Sequence, residues 1–314
     1  MNRKHVQAMV AAALLSSGGL AGQCPAVRTA GGEQSQAGMS AGRELALPQV
    51  PAELRTPGER AVYIAKHFWD AMDWRDTTLT RDRAFMEQSA SNFYSLFGLT
   101  DSITASQAVA EMLAGASVSP ETYKTVAEIA ELYLYEPYSP VADDEAYAVV
   151  VDRFLADGKL DEAAMMRLED AHQTLMKNRV GHKATDFEFV GRDGRRRRLS
   201  DETGLNDFTL LMFYDPDCHD CAALEKHLDE SPLPAQKGVG IVMISPYGEQ
   251  DGLWRSHAAT MPEGWTVGLT DEGFEDEGLY DLKITPTVYI LDRESRVVRK
   301  NVVPECIDDI LGKL

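Results

Sequence analysis

The sequence predicts an all-α helical bundle followed by an α/β unit built on a mixed central sheet. Three observations carry this expectation. Apolar residues recur at intervals of three and four from residue 56 to about 180; beyond residue 187 short β-branched and aromatic runs alternate with helical patterns. Between the apolar run Leu210-Leu211-Met212-Phe213-Tyr214 and the helical pattern Ala222-Ala223-Leu224-Glu225 stands the pair Cys218 and Cys221. A period near 3.6 marks helix and a short apolar run marks a buried strand, and strands alternating with helices layer helices on a sheet.

The chain opens on a basic stretch, Met1-Asn2-Arg3-Lys4-His5, and residues 6–20 are mainly apolar and small. That is the layout of a secretory signal peptide, too short for a membrane-spanning helix, and export to the periplasm or cell envelope follows. Leu20-Ala21-Gly22-Gln23-Cys24 resembles the lipobox of bacterial lipoproteins, whose cysteine is acylated. Gln23 departs from the small residue that pattern places before the cysteine, so a lipid anchor on Cys24 and ordinary cleavage near Ala21 both stand. Residues 25–52 are rich in Gly, Ala, Ser, Gln and Pro without apolar periodicity, as in a flexible linker. The expected organisation is therefore signal peptide 1–24, linker 25–52, helical domain 53–180 and α/β domain 181–314. A chain of 314 residues with 44% apolar and 26% charged residues supports two separate cores. A formal charge of −19 excludes nucleic acid as a partner, since phosphate neutralisation needs a basic face. Four cysteines are too few for a disulfide scaffold.

In the helical part, Thr56-Pro57-Gly58-Glu59 reads as a capping box with Pro at the first helical position, followed by the face Val62, Ala65, Phe68, Trp69 and Met72. Ser119-Pro120-Glu121 repeats the start signal before Val126, Ile129, Ala130, Tyr133 and Leu134. Further helices are expected at about 81–97, 105–114, 144–155 and 160–177, with short turns such as Asp157-Gly158 between them, as in an antiparallel bundle. The cluster Leu132-Tyr133-Leu134-Tyr135-Glu136-Pro137-Tyr138-Ser139-Pro140 reads as core or an inter-domain contact, with a client-facing surface as the alternative.

In the α/β part, Phe187-Glu188-Phe189-Val190 opens a strand, Asp193-Gly194 signals a hairpin turn, and Arg195-Arg196-Arg197-Arg198 fall on the return strand. Four arginines there read as an exposed sheet edge guarded by charge. Strands are expected at 240–244, 266–269, from 287 and from 296, with helices around 253–260, 275–280 and from 304. Pro286 precedes the run Thr287-Val288-Tyr289-Ile290-Leu291, and a residue without an N–H belongs at a strand's start.

A thiolate on the first turn of a helix faces unpaired N–H groups and the positive end of the dipole, which make it a nucleophile. The spacing Cys218-His219-Asp220-Cys221 lets the second sulfur close on the first. Strand, C-x-x-C, helix, then Thr285-Pro286-Thr287 together resemble the thioredoxin superfamily, closest to its TlpA-like, envelope-located branch, over about 181–314. The resemblance implies a thioredoxin-like fold, nucleophilic Cys218, resolving Cys221, and a substrate groove at Thr285 and Pro286, with a cis peptide bond before the proline. It implies no cofactor beyond a redox-active Cys218–Cys221 disulfide. The preceding segment resembles an uncharacterised helical domain found ahead of thioredoxin-like domains in Gram-negative envelope lipoproteins.

This chain departs from the family in what surrounds the sulfurs. Asp215, Asp217 and Asp220 oppose a thiolate and protonated His219 favours it, so the sign of the net shift stays open. Where thioredoxins carry a buried acid six residues before the first cysteine stands Met212, leaving Asp215 and His219 as proton-transfer candidates. Cys306, at the start of the last helix, is a candidate accessory thiol or an inert cap. Zinc needs two further ligands, and His219 and His227 without a second cysteine pair do not supply them. A peroxidase of the peroxiredoxin kind would have threonine where Asp215 stands. The expected activity is an exported thiol–disulfide oxidoreductase that reduces or isomerises disulfides of envelope proteins and is recharged by a membrane or soluble thiol donor. A non-catalytic client-binding lipoprotein on a thioredoxin-like scaffold is the alternative.

Overall fold

Helices of the first unit start on a side chain that accepts a backbone N–H: Thr56, Asp76, Asp82, Asp101, Ser119 and Asp143 cap Pro57–His67, Thr77–Thr80, Arg83–Tyr94, Ser102–Ala116, Pro120–Ala130 and Asp144–Asp157. The computed structural model describes residues 43–137, 139 and 141–314; the signal segment, Cys24 and the linker as far as residue 42 lie outside the described residues. The helix Pro57–His67 carries the expected capping box, with Thr56 N donating to Glu59 Oε2 at 3.0 Å and Glu59 N to Thr56 Oγ1 at 3.2 Å. Asp101 begins its helix earlier than the apolar pattern indicates, because its carboxylate takes the Thr104 N–H at 2.7 Å. The segment expected as one helix over 81–97 ends at Tyr94 and finishes in a 3-10 turn, Phe97–Leu99.

The core of this unit is aromatic: Phe93 lies 5.3 Å from Phe68, 5.5 Å from Trp69 and 5.0 Å from Phe97 between ring centroids. Gly158 ends the helix Asp144–Asp157 in the left-handed conformation, φ 60°, which glycine adopts without a Cβ penalty. The helix Pro120–Ala130 runs on into a π-helical turn, Glu131–Tyr135. That turn places Leu134 in the core, stacks Tyr135 on Tyr147 at 4.8 Å, and lets Tyr133 Oη donate to Glu87 Oε2 at 3.4 Å. These three side chains thus pack within the helical unit; Tyr138 and Pro140 lie outside the described residues. A last helix, Glu162–Leu175, closes the series.

The chain divides into two compact units between His172 and Gln173. Residues 173–180 therefore go with the second unit rather than the first, and Asn178 shows why. Its Nδ2 donates to Leu279 O at 2.9 Å and its Oδ1 accepts from Thr185 N at 2.7 Å.

The second unit has a seven-stranded mixed sheet in the order β2-β1-β5-β4-β3-β6-β7. Its strands are β1 Glu188–Gly191, β2 Arg196–Arg198, β3 Phe208–Phe213, β4 Val239–Ser245, β5 Thr266–Leu269, β6 Thr287–Asp292 and β7 Val297–Arg299. β3, β4 and β5 run parallel, while β6 pairs antiparallel with β3. β3 is covered on both faces, and such strands read as continuous apolar runs. Leu210, Met212 and Tyr214 pack with Cys221, Leu224 and Trp254 on one side. On the other, Leu211 and Phe213 pack with Phe187, Phe274, Tyr280 and Tyr289. Gly268 lies under the Phe189 ring, where a Cβ would meet Cδ2 at 2.2 Å, so β5 carries no side chain at that point.

β2 is an edge strand, as the arginine run indicates. Arg196 pairs with Asp271 at 2.9 Å, Arg197 with Asp193 at 2.9 Å and with Glu202 at 3.2 Å, and Arg198 with Glu188 at 3.1 Å. Two short helices the sequence reading lacked, Leu199–Thr203 and Leu233–Gln236, lead into β3 and β4. The helix expected at 275–280 is a run of turns instead. Gly273 and Gly278, at φ 80° and 58°, break any helical path there.

Candidate active site

The end of β3 delivers the two sulfurs. Tyr214 N still donates to Ile244 O at 3.0 Å, then the chain turns, with Asp217 N donating to Asp215 Oδ1 at 2.9 Å and Cys218 N to Asp215 O at 3.0 Å. Asp215 therefore folds back on its own turn, a local bond that aspartate makes readily. Cys218 is the N-cap of the helix His219–Glu230. Its sulfur stands where a capping oxygen usually does and accepts the Cys221 N–H at 3.2 Å.

The peptide bond Thr285–Pro286 is cis. The Cys218 thiol donates to the Thr285 carbonyl at 3.5 Å, so the proline-led start of β6 lies against the first sulfur. Two segments 67 residues apart in sequence meet at this point. Cys218 is partly exposed, whereas Cys221 is fully buried in the core with Met212 and Leu224.

Burial pushes the Cys221 thiol well above the ordinary thiol range, and its interaction with Cys218 adds to the rise. The Asp215 backbone and the Thr285 side chain pull the other way to a smaller extent. The sign follows directly: a raised value keeps the proton on Cys221 through neutral and mildly alkaline pH. In a Cys218→Ser chain, alkylation of Cys221 by iodoacetamide should still climb about tenfold per pH unit above about pH 8.5, where an ordinary thiol levels off. A plateau near that pH, read by intact mass against time, would show that burial does not control this sulfur.

The residues expected to tune the pair fall into two groups. His219 and Asp220 point into solvent, with side chains 97% and 77% exposed, and lie 3.5 Å from each other. Asp217 is exposed as well. Charges so placed act on the sulfur through water and are screened by salt. Cys306 is buried where the 3-10 turn Pro304–Cys306 meets the last helix, Ile307–Lys313. Among the described residues no three His, Cys, Asp or Glu side chains gather as a metal-binding group.

Two side chains beside the site were not singled out in the sequence. Glu225 is one turn beyond Cys221 on the same helix; its side chain is only 9% exposed, and Oε2 lies 3.1 Å from His257 Nε2. His257 comes from the helix Asp251–Ala258, and its ring lies 5.3 Å from that of Tyr214. The signal was in the periodicity. Cys221, Leu224 and Leu228 mark the buried stripe of the helix, and position 225 falls on the same stripe at i+4. An acid there must be buried.

The profile of a domain of unknown function, DUF5106, matches residues 23–178. Among solved structures, a thioredoxin-like protein from Bacteroides caccae is 28% identical, covers 86% of this chain and 98% of its own, and superposes with a TM-score of 0.78. A conserved protein of unknown function from Bacteroides fragilis is 35% identical over 42% of this chain and 98% of its own, with a TM-score of 0.39. The thioredoxin domain of a thiol-disulfide oxidoreductase from Bacteroides vulgatus is 18% identical over 43% of this chain and 96% of its own, with a TM-score of 0.38. No curated protein matches the chain significantly. The second unit of this chain has the thioredoxin-like fold.

Proposed function

We propose that the chain is a thiol–disulfide oxidoreductase acting on protein disulfides of the cell envelope. One observation carries this reading: a partly exposed sulfur caps a helix, with a second sulfur buried one turn behind it and the Thr285 carbonyl against it. The Cys218 thiolate attacks one sulfur of a client disulfide, that S–S bond breaks, and the other client sulfur leaves as a thiolate. Cys221 then attacks Cys218, closing the internal disulfide and releasing the second client thiol. The client gains two electrons and the pair loses two. A membrane or soluble thiol donor returns the pair to the dithiol, and no further cofactor enters. Isomerisation follows when another client thiol, rather than Cys221, attacks the mixed disulfide.

Thr285 and Pro286 form the wall of the client groove. An extended client segment adds there as a strand, with backbone hydrogen bonds supplying affinity. Asp215, Asp217, His219 and Asp220 set the local charge. The basic and apolar start of the chain exports it, and Cys24 is the candidate point of lipid attachment; these features are read from the sequence.

The reduction potential tests this reading. Equilibrated against a glutathione series, Cys218 and Cys221 should move between dithiol and disulfide within the range of about −270 to −120 mV spanned by redox-active members of the fold. A pair that stays closed throughout would instead be a static cross-link, and the chain a client-binding scaffold.

A further inference from the structure

The buried second sulfur has a proton to lose before it can attack. His219 projects into solvent, and Asp215, whose backbone meets Cys221, accepts the Asp217 N–H of its own turn on Oδ1. Met212, in the strand position where thioredoxins carry an acid, is buried without a titratable group.

We propose that Glu225, held in place by His257, accepts the Cys221 proton when Cys221 resolves the mixed disulfide, and returns it when the pair is reduced. This deepens the thiol–disulfide reading above and rests on it. Positions 221 and 225 are i and i+4 on one helix, which sets their Cβ atoms about 5–6 Å apart, a gap that a proton crosses through one water. Both side chains face the interior. Glu225 Oε2 is taken by His257, while Oε1 is buried and has no hydrogen-bond partner among the described residues. An acceptor oxygen left unpaired in the interior is costly, and a proton-accepting task accounts for its being kept.

The groups facing this carboxylate come from several elements. Tyr214 stands at the end of β3, with its hydroxyl raised by burial and then by the Glu225 charge. Trp254 and His257 belong to the helix Asp251–Ala258, and His257 Nδ1 is likewise buried without a hydrogen-bond partner among the described residues. Arg192 acts on Tyr214 from the turn after β1, but its guanidinium is committed to the carbonyls of Met261, Pro262 and Trp265. Around Cys221 itself, the Tyr247 hydroxyl is raised by burial, then by Asp215 and Glu275, and last by the two sulfurs. His257, 3.1 Å from Oε2, is thus the side chain that fixes the carboxylate, and it serves as a positioning residue.

In the resolving step the Cys221 S–H bond breaks and its proton goes to the Glu225 carboxylate. The sulfur's electron pair forms the bond to Cys218, and the mixed disulfide releases the client thiolate. Each reduction of the pair runs this backwards.

A nitrobenzoate disulfide reagent separates the two steps on the reduced full chain. Attack by Cys218 releases one coloured thiolate, and closure by Cys221 releases a second. Wild type should show a second phase that levels off toward neutral pH. Glu225→Gln should keep the first phase within about twofold and slow the second on the order of a hundredfold, with a rate that rises with every pH unit as bulk deprotonation takes over. His257→Gln should move the pH profile of the second phase and leave the first alone. The proposal is overturned if the second phase of Glu225→Gln keeps the wild-type rate and pH profile, or if both phases slow together with an unchanged profile, which is a structural defect. A wild-type chain that releases no thiolate at all overturns the thiol–disulfide reading itself, a result distinct from either.

Discussion

A Cys218→Ser chain is expected to lose disulfide exchange by a factor on the order of 10³ or more, while Cys221→Ser keeps the first step and stops at the second. The asymmetry comes from exposure and position. Cys218 is the sulfur at the surface, at the helix terminus and against Thr285, whereas Cys221 is enclosed behind it. Turnover on insulin or scrambled ribonuclease, followed with non-reducing gels, reads both halves of the expectation. Cys221→Ser should accumulate a protein–client mixed disulfide that a reductant dissolves, and Cys218→Ser should accumulate none. Equal activity of both variants and wild type would end the enzyme reading, and trapping through Cys221 in the Cys218→Ser chain would reverse the assigned roles.

The largest effect on stability is expected at Phe213, at the end of the strand that leads to the sulfurs. Its ring is fully buried, 4.7 Å from Tyr280, 5.8 Å from Phe187, 6.1 Å from Phe274 and 6.4 Å from Tyr289 between centroids. Phe213→Ala removes the ring from the middle of that cluster and should destabilise the second unit by about 3–5 kcal/mol, the sum of lost transfer energy and the cavity left behind. Phe213→Leu refills much of the space and should cost clearly less. Hydrogen exchange in β3 and β6 reads this unit separately from the helical one, and equal protection in the alanine variant and wild type would remove Phe213 from the core account.

Much of the fold was legible because it is written in local signals. Asp and Ser caps, the Thr56 to Glu59 capping box, the Asp193-Gly194 turn and the apolar run of β3 each act within a few residues, and each element stands close to where its pattern places it. The misses have a common cause. Gly273 and Gly278 turn a stretch with two well-spaced aromatics into a string of turns, and the π-helical turn at Glu131–Tyr135 departs from a pattern that continues at helical spacing. Residues 173–180 extend a helical pattern yet pack with the sheet through Asn178, a pairing across 101 residues that no local window contains.

The sequence by itself determined that two thiols start a helix after a buried strand, that a proline opens another strand, and that the edge β2 carries charge, because these are properties of adjacent residues. Only the tertiary structure decided which titratable side chains of this region stand in solvent and which are buried. Sign and spacing pointed to Asp217, His219 and Asp220, yet those side chains stand in water, while Glu225 and His257, 32 residues apart, meet in the interior behind Cys221. The physical reason is dielectric: a charge acts in proportion to how little solvent surrounds it, and burial is a property of the assembled fold.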